Sequence, residues 1–169
     1  MIKRALIIII LAVILAGLNN LVNPNKIDWV GYWPNVTDSD TTWFSPSYEE
    51  GDPPTLLLQQ ALDRYIDGSY VFLDAREPIE YQEGHIKGAI NLSYDYFDEQ
   101  WDSVKTLIPK DTTIVTYCSG SECEASLYLA RLLVEDYGFT HVEIFFGGWR
   151  LWDKHKLPIE GHYGSGDEE

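Results

Sequence analysis

A chain of 169 residues, 45% hydrophobic and 14% aromatic, holds enough apolar material for one ordinary domain with an appendage. Its charge is divided: Lys3, Arg4 and Lys26 stand without an acid in the first 26 residues, whereas nine basic residues face 27 acidic ones in the rest. A body this acidic excludes phosphate-backbone recognition, which needs clustered Lys and Arg, so no nucleic-acid partner is expected.

Met1-Ile-Lys-Arg leads into an unbroken apolar run from Ala5 to Leu18. Fourteen residues is the length of a signal-peptide core, and Leu21 and Val22 extend the run toward the length that crosses a bilayer. Residues 1–22 therefore read as an N-terminal apolar helix acting as signal or anchor, with the membrane a partner through residues 5–22. Lys3 and Arg4 stay cytoplasmic and the acidic body lies outside, on the periplasmic or extracellular face. No well-placed small-x-small pair follows the run, which favours an uncleaved anchor. Residues 23–54 are rich in Asn, Asp, Ser, Thr, Pro and Gly and show no period, as in a tether. They also carry Trp29, Tyr32, Trp33, Trp43 and Phe44, so an arm packed on the domain and aromatic anchorage at the membrane surface both stay open.

After Pro54 the pattern changes. A helix is predicted over Gln59–Asp67, stopped by Gly68, then a strand over Tyr70–Leu73 ending at Asp74. Phe97–Leu107 reads as a helix before Pro109, and β-branched Thr112–Tyr117 as a strand ending at Cys118. Ala125–Tyr137 carries Ala125, Leu129, Leu132 and Leu133 on one face and stops at Gly138. His141–Phe146 is a strand running into Gly147-Gly148, and Trp149–Lys156 a short closing helix. Strands alternating with helices indicate a mostly parallel sheet wrapped by helices. The ligand crevice of such a sheet lies at the carboxyl ends of its strands, where Asp74, Cys118 and Gly147 all fall.

Three segments, DAREPIEYQEGHIKGAIN (Asp74–Asn91), VTYCSG (Val115–Gly120) and FGGWRLW (Phe146–Trp152), resemble in order and spacing the signature segments of the rhodanese-like family. The resemblance covers roughly Thr55–Ile159, with a domain expected over 55–162 and an acidic tail over 163–169. It implies an α/β fold with a mostly parallel central sheet flanked by helices. It also implies a catalytic cysteine, Cys118, that carries sulfur as a persulfide and needs no cofactor. Loop amides from Ser119 to Glu124 and the helix start at Ala125, with Ser126 as the hydroxyl of its first turn, would cradle the thiolate, since such donors lower a thiol pKa. A small sulfur donor and a thiol acceptor, a protein thiol among them, are the implied partners. Asp74, Arg76, Glu80 and His85 correspond to a structural brace, and Gly147 and Gly148 to a tight turn beside the cysteine loop.

The loop departs from the family pattern. Aligning Ser126 with the usual hydroxyl leaves Ala125 at the usual basic position, makes the loop two residues longer, and places Glu122 and Glu124 where a dianionic donor would pass. Thiosulfate is repelled by such a loop, and the related phosphatases require an Arg where Glu124 stands. Cys123 forms a C-x4-C pair with Cys118 and is a candidate resolving thiol. Three readings stay open: sulfur transfer on Cys118, a Cys118/Cys123 thiol–disulfide module, and a rhodanese-like binding domain without turnover. Cys118, nearer the strand end, is expected to be the more acidic thiol. No metal site is expected, because the four histidines lack ligand spacing with the cysteines.

Overall fold

A computed structural model describes residues 3–6, 9–10, 12–13, 15, 47–120 and 123–161. The chain divides into two compact units, Met1–Trp33 and Pro34–Glu169. In the first, the described residues are helical and present apolar side chains outward, Leu6, Ile9, Ile10, Val13 and Leu15 among them. Among the described residues no helix is long and apolar enough to cross a membrane, and most of residues 5–22 lie outside them.

The second unit is built on four parallel strands in the order β3-β1-β4-β5: β1 Tyr70–Asp74, β3 Ile90–Asn91, β4 Thr113–Tyr117 and β5 Val142–Phe145. β1 and β4 run in step from Tyr70 opposite Thr113 to Asp74 opposite Tyr117. Side chains alternate across a strand, so successive apolar residues feed two cores. Leu73, Ile114 and Ile144 point to one, with α3 (Phe97–Val104) and α4 (Ala125–Glu135). Phe72, Val115, Tyr117 and Phe145 point to the other, with α1 (Leu58–Asp67) and α5 (Gly148–Lys154). Helix spacing matches: Leu129, Ala130 and Leu133 are buried on α4, as Leu58, Ala61 and Leu62 are on α1. Gly68 ends α1 in the left-handed conformation at φ 73°, the reason a glycine stands there.

The remaining elements are short. α2 (Pro78–Glu83) starts on a proline at its first turn; β2 (His85–Ile86) pairs antiparallel with β6 (Ile159–Glu160). A single 3₁₀ turn, Lys105–Leu107, continues α3.

Ser47–Pro54, the described end of the segment read as tether or arm, packs onto the domain. Arg131 donates to Asp52 at 2.6 and 2.7 Å and to the Ser47 carbonyl, while Tyr48 meets Phe146 edge to face. Pro54 accepts from the Ile144 amide. Trp29, Tyr32, Trp33, Trp43 and Phe44 lie outside the described residues.

Candidate active site

The site forms where β1 and β4 end. Cys118 follows Tyr117 directly and has no exposed surface. Its sulfur lies 2.9 Å from the Cys123 carbonyl oxygen and 3.7 Å from that of Gly120, and the Ser126 hydroxyl donates to it at 3.4 Å. Gly120 takes φ 151°, and its carbonyl accepts the Cys123 amide at 2.8 Å, folding the loop back so that both cysteines share one niche. The loop is clamped from α5, where the Trp149 amide donates to the Cys118 carbonyl (2.8 Å) and the Arg150 amide to that of Ser119 (3.0 Å). Gly148 makes this approach feasible: a Cβ there would stand 2.3 Å from the Cys118 carbonyl oxygen. At Gly147 a Cβ would press on Leu151 and the Phe145 ring.

The electrostatics of the pair invert the sequence expectation. Burial pushes the Cys118 thiol well up, reinforced by its hydrogen bond to Cys123. Cys123, only partly buried, is lowered to about 6 by the hydrogen bond from Cys118, with further help from the backbone at Ser119 and Ala125. The backbone at Ser119 and Ala125 thus serves Cys123, and burial keeps the proton on Cys118 despite the Gly120 backbone and the Ser126 hydroxyl. Position at a strand end decides which thiol lies deepest, and depth penalises the anion. Iodoacetamide should accordingly modify Cys123 first, with a rate that rises through pH 6 and levels off by about pH 7, and Cys118→Ala should move that midpoint upward. A midpoint at the ordinary thiol value would mean that the shared niche does not form.

The other expected residues separate into two groups. Asp74 and Arg76 form a buried ion pair at 2.6 Å; the Asp74 carboxylate also accepts the Arg76 amide, and Arg76 donates on to the Gly84 carbonyl at 2.7 Å. Arg76 lies over the Trp149 ring at 5.1 Å. This brace joins β1, the end of α2 and α5. His85 sits apart from the cysteines, stacked on Tyr81 with Nδ1 2.7 Å from the Tyr81 carbonyl and Nε2 3.7 Å from Glu160. Glu80 accepts the Ser119 hydroxyl at 3.2 Å, and Glu124 accepts the Tyr128 hydroxyl at 2.6 Å. Ser121 and Glu122 lie outside the described residues. No group of three or more metal-ligating side chains occurs among the described residues.

Sequence reading missed the supports beneath. The Tyr117 hydroxyl accepts the Ile86 amide at 3.1 Å, Asn91 donates to the Asp74 and Arg76 carbonyls, and Gln100 holds Asn91. A polar residue ending an apolar strand, as Tyr117 and Asn91 do, was the available signal. Beside the loop opens a cavity of about 150 Å³ lined by Arg76, Glu80, Glu83, Gly84, Ser119, Trp149 and Arg150.

Comparison with known proteins agrees with this geometry. The family model of the rhodanese-like domain matches residues 57–155. A tRNA uridine(34) hydroxylase of the Onion yellows phytoplasma is 34% identical over 104 residues, 59% of this chain and 32% of that protein. The thiosulfate sulfurtransferase PspE of Escherichia coli is 32% identical over 73 residues, 43% of this chain and 64% of its own. The chain thus spans less than two thirds of these relatives, and about a third of the hydroxylase. The crystal structure of the BH2092 protein from Bacillus halodurans superposes with a TM-score of 0.57 at 26% identity, covering 69% of this chain and 82% of that one.

Proposed function

The chain belongs to the rhodanese-like family, and we propose that it is a sulfurtransferase holding sulfane sulfur as a persulfide on Cys118, with Cys123 as the thiol through which sulfur passes. One observation carries this reading: a wholly buried thiol at the end of β4 donates to the backbone carbonyl of Cys123, whose own half-buried and more acidic thiol lies in the same loop. The Cys123 thiolate attacks the outer sulfur of a donor, whose S–S bond breaks with the electron pair on the departing group. Cys118 then attacks that sulfur, Cys123 leaves as thiolate, and the Cys118 proton ends on the transferred sulfur. A persulfide or polysulfide donor fits better than thiosulfate, since the loop from Ser119 to Glu124 has no basic residue and a dianion would meet Glu124 and Glu80. Tyr117, Asn91 and the Asp74–Arg76 pair hold the strand ends still beneath these steps.

Intact mass of the full-length chain after polysulfide treatment tests the reading. Wild type should gain one sulfur atom, Cys118→Ser should hold sulfur only on Cys123, and the double Cys→Ser variant should gain none. Absence of sulfur on wild type would end the proposal.

The bond from the Cys118 thiol to the Cys123 carbonyl, which holds both cysteines in one loop, favours a second reading, a thiol–disulfide module. A Cys118–Cys123 disulfide would close so short a loop that little chain entropy is saved, and it would be easily reduced. Its signature is the loss of two hydrogens without gain of sulfur.

The location belongs to the same proposal: the apolar run behind Lys3 and Arg4 supports a domain anchored through residues 5–22 outside the cytoplasm. Protease should reach the domain only after the outer envelope is opened, and recovery of soluble domain from cytosol would refute this. Small sulfur donors and thiols, protein thiols included, are the proposed partners. The excess of acid beyond residue 26 argues against an RNA partner.

A further inference from the structure

The cavity beside the cysteine loop is lined by charge of both signs. Glu80, Glu83 and Gly84 come from α2 and its end, Ser119 from the cysteine loop, and Trp149 and Arg150 from the start of α5. Arg76 is committed: it binds both carboxylate oxygens of Asp74 and the Gly84 carbonyl, so its charge is matched within the fold. Arg150 differs. Its backbone amide is held by Ser119 and its stem runs alongside Gly120, yet its side chain is exposed and no described residue pairs with the guanidinium. Glu83 is likewise exposed without a described ion pair, and Glu80 spends one oxygen on the Ser119 hydroxyl. Among the described residues that line it, the cavity therefore offers a ligand one guanidinium without an ion pair and two carboxylates.

We infer that this cavity is the acceptor subsite of the sulfur-transfer reaction and takes the α-amino-acid head of a small zwitterionic thiol such as free cysteine. A carboxylate meets Arg150 in the planar geometry that guanidinium prefers, and an ammonium meets Glu80 and Glu83. A dianion would find two like charges against one unlike, and a neutral thiol would leave both signs unmatched. Ser119 connects the cavity to the chemistry: it lines the cavity, directly follows Cys118 in the chain, donates its hydroxyl to Glu80 at 3.2 Å and accepts the Arg150 amide at 3.0 Å. Once a thiol is seated there, its thiolate attacks the outer sulfur of the enzyme persulfide. The enzyme S–S bond breaks, the enzyme cysteine leaves as thiolate, and the acceptor departs as its own persulfide.

The inference rests on the sulfur-transfer reading, and acceptors with parts of the head removed separate the two. Full-length protein loaded from polysulfide is discharged with cysteine, with cysteamine, which lacks the carboxylate, and with 3-mercaptopropionate, which lacks the ammonium; each rate is expressed per thiolate. Cysteine should exceed each truncated thiol by about fivefold, the size of one exposed charge contact. Arg150→Gln should bring the cysteine-to-cysteamine ratio toward one, and Glu83→Gln should do the same for cysteine against 3-mercaptopropionate. Equal rates for the three thiols, or ratios unmoved by both substitutions, would overturn the subsite while leaving sulfur transfer intact. Should the protein never load sulfur, titration of the unloaded protein with S-methylcysteine decides the subsite by itself. Saturable binding at millimolar concentration that is lost in Arg150→Gln supports it, and no binding refutes it.

Discussion

Asp74→Ala should unfold the domain more readily than any substitution at the cysteines, by about 3–5 kcal/mol, the cost of leaving one member of a buried ion pair alone. The Asp74 side chain has no exposed surface and that of Arg76 has 4%, so water cannot take over the lost contacts. Four bonds end on the carboxylate from Arg76 alone: its backbone amide, Nε to both oxygens, and Nη2 at 2.6 Å. Removing Asp74 therefore strands a guanidinium between Gly84 and Trp149 and loosens the strand end that precedes Cys118. For a domain of this size the melting temperature should fall by about 15 °C or more. The double variant Asp74→Ala, Arg76→Met should recover most of the loss, because two apolar groups replace a pair whose desolvation was costly. A single-variant loss below about 1 kcal/mol, or a double variant as weak as the single, would show that the pair does not brace the strand ends.

That brace was legible as a motif but not as a structure. The main elements were readable because each carries its own periodic signal: β-branched Thr113–Tyr117, the apolar face of Ala125–Glu135, and Gly68 as a stop. Asp74, Cys118 and Gly147 at successive strand ends located the crevice by topology alone. Two-residue strands such as His85–Ile86 and Ile159–Glu160 are too short for a period, and their pairing spans more than seventy positions, so nothing local announced them. The relative acidity of the cysteines was misjudged for a similar reason. Sequence shows which thiol is nearer a strand end and an amide-rich loop, whereas the order is set by which one the fold buries. Cys118 is wholly buried with carbonyl oxygens at 2.9 and 3.7 Å, and the backbone at Ser119 and Ala125 acts on Cys123. Arg150 posed the same question of reach: adjacency to the Gly-Gly turn was visible, its station on the cavity wall beside Ser119 was not.

Gly148→Ala should damage stability and chemistry together. Gly148 has φ +56°, where an alanine costs roughly 1–2 kcal/mol from its own backbone. The added Cβ would also stand 2.3 Å from the Cys118 carbonyl oxygen and 2.8 Å from the Gly120 nitrogen, both backbone atoms that cannot rotate aside. Relief requires α5 to withdraw from the loop, which breaks the amide bonds from Trp149 to Cys118 and from Arg150 to Ser119. Gly68→Ala isolates the first contribution, since Gly68 has φ +73° with nothing within 4 Å of its Cβ position. Urea melts should place Gly68→Ala about 1 kcal/mol below wild type and Gly148→Ala about 2–4 kcal/mol below it. The folded fraction of Gly148→Ala should also alkylate Cys123 with a midpoint well above pH 6, because the niche that holds the thiolate has opened. If the two alanine variants lose equal stability and Cys123 titrates as in wild type, the loop does not depend on the close approach of α5, and the cysteine pair is held by the strand end alone.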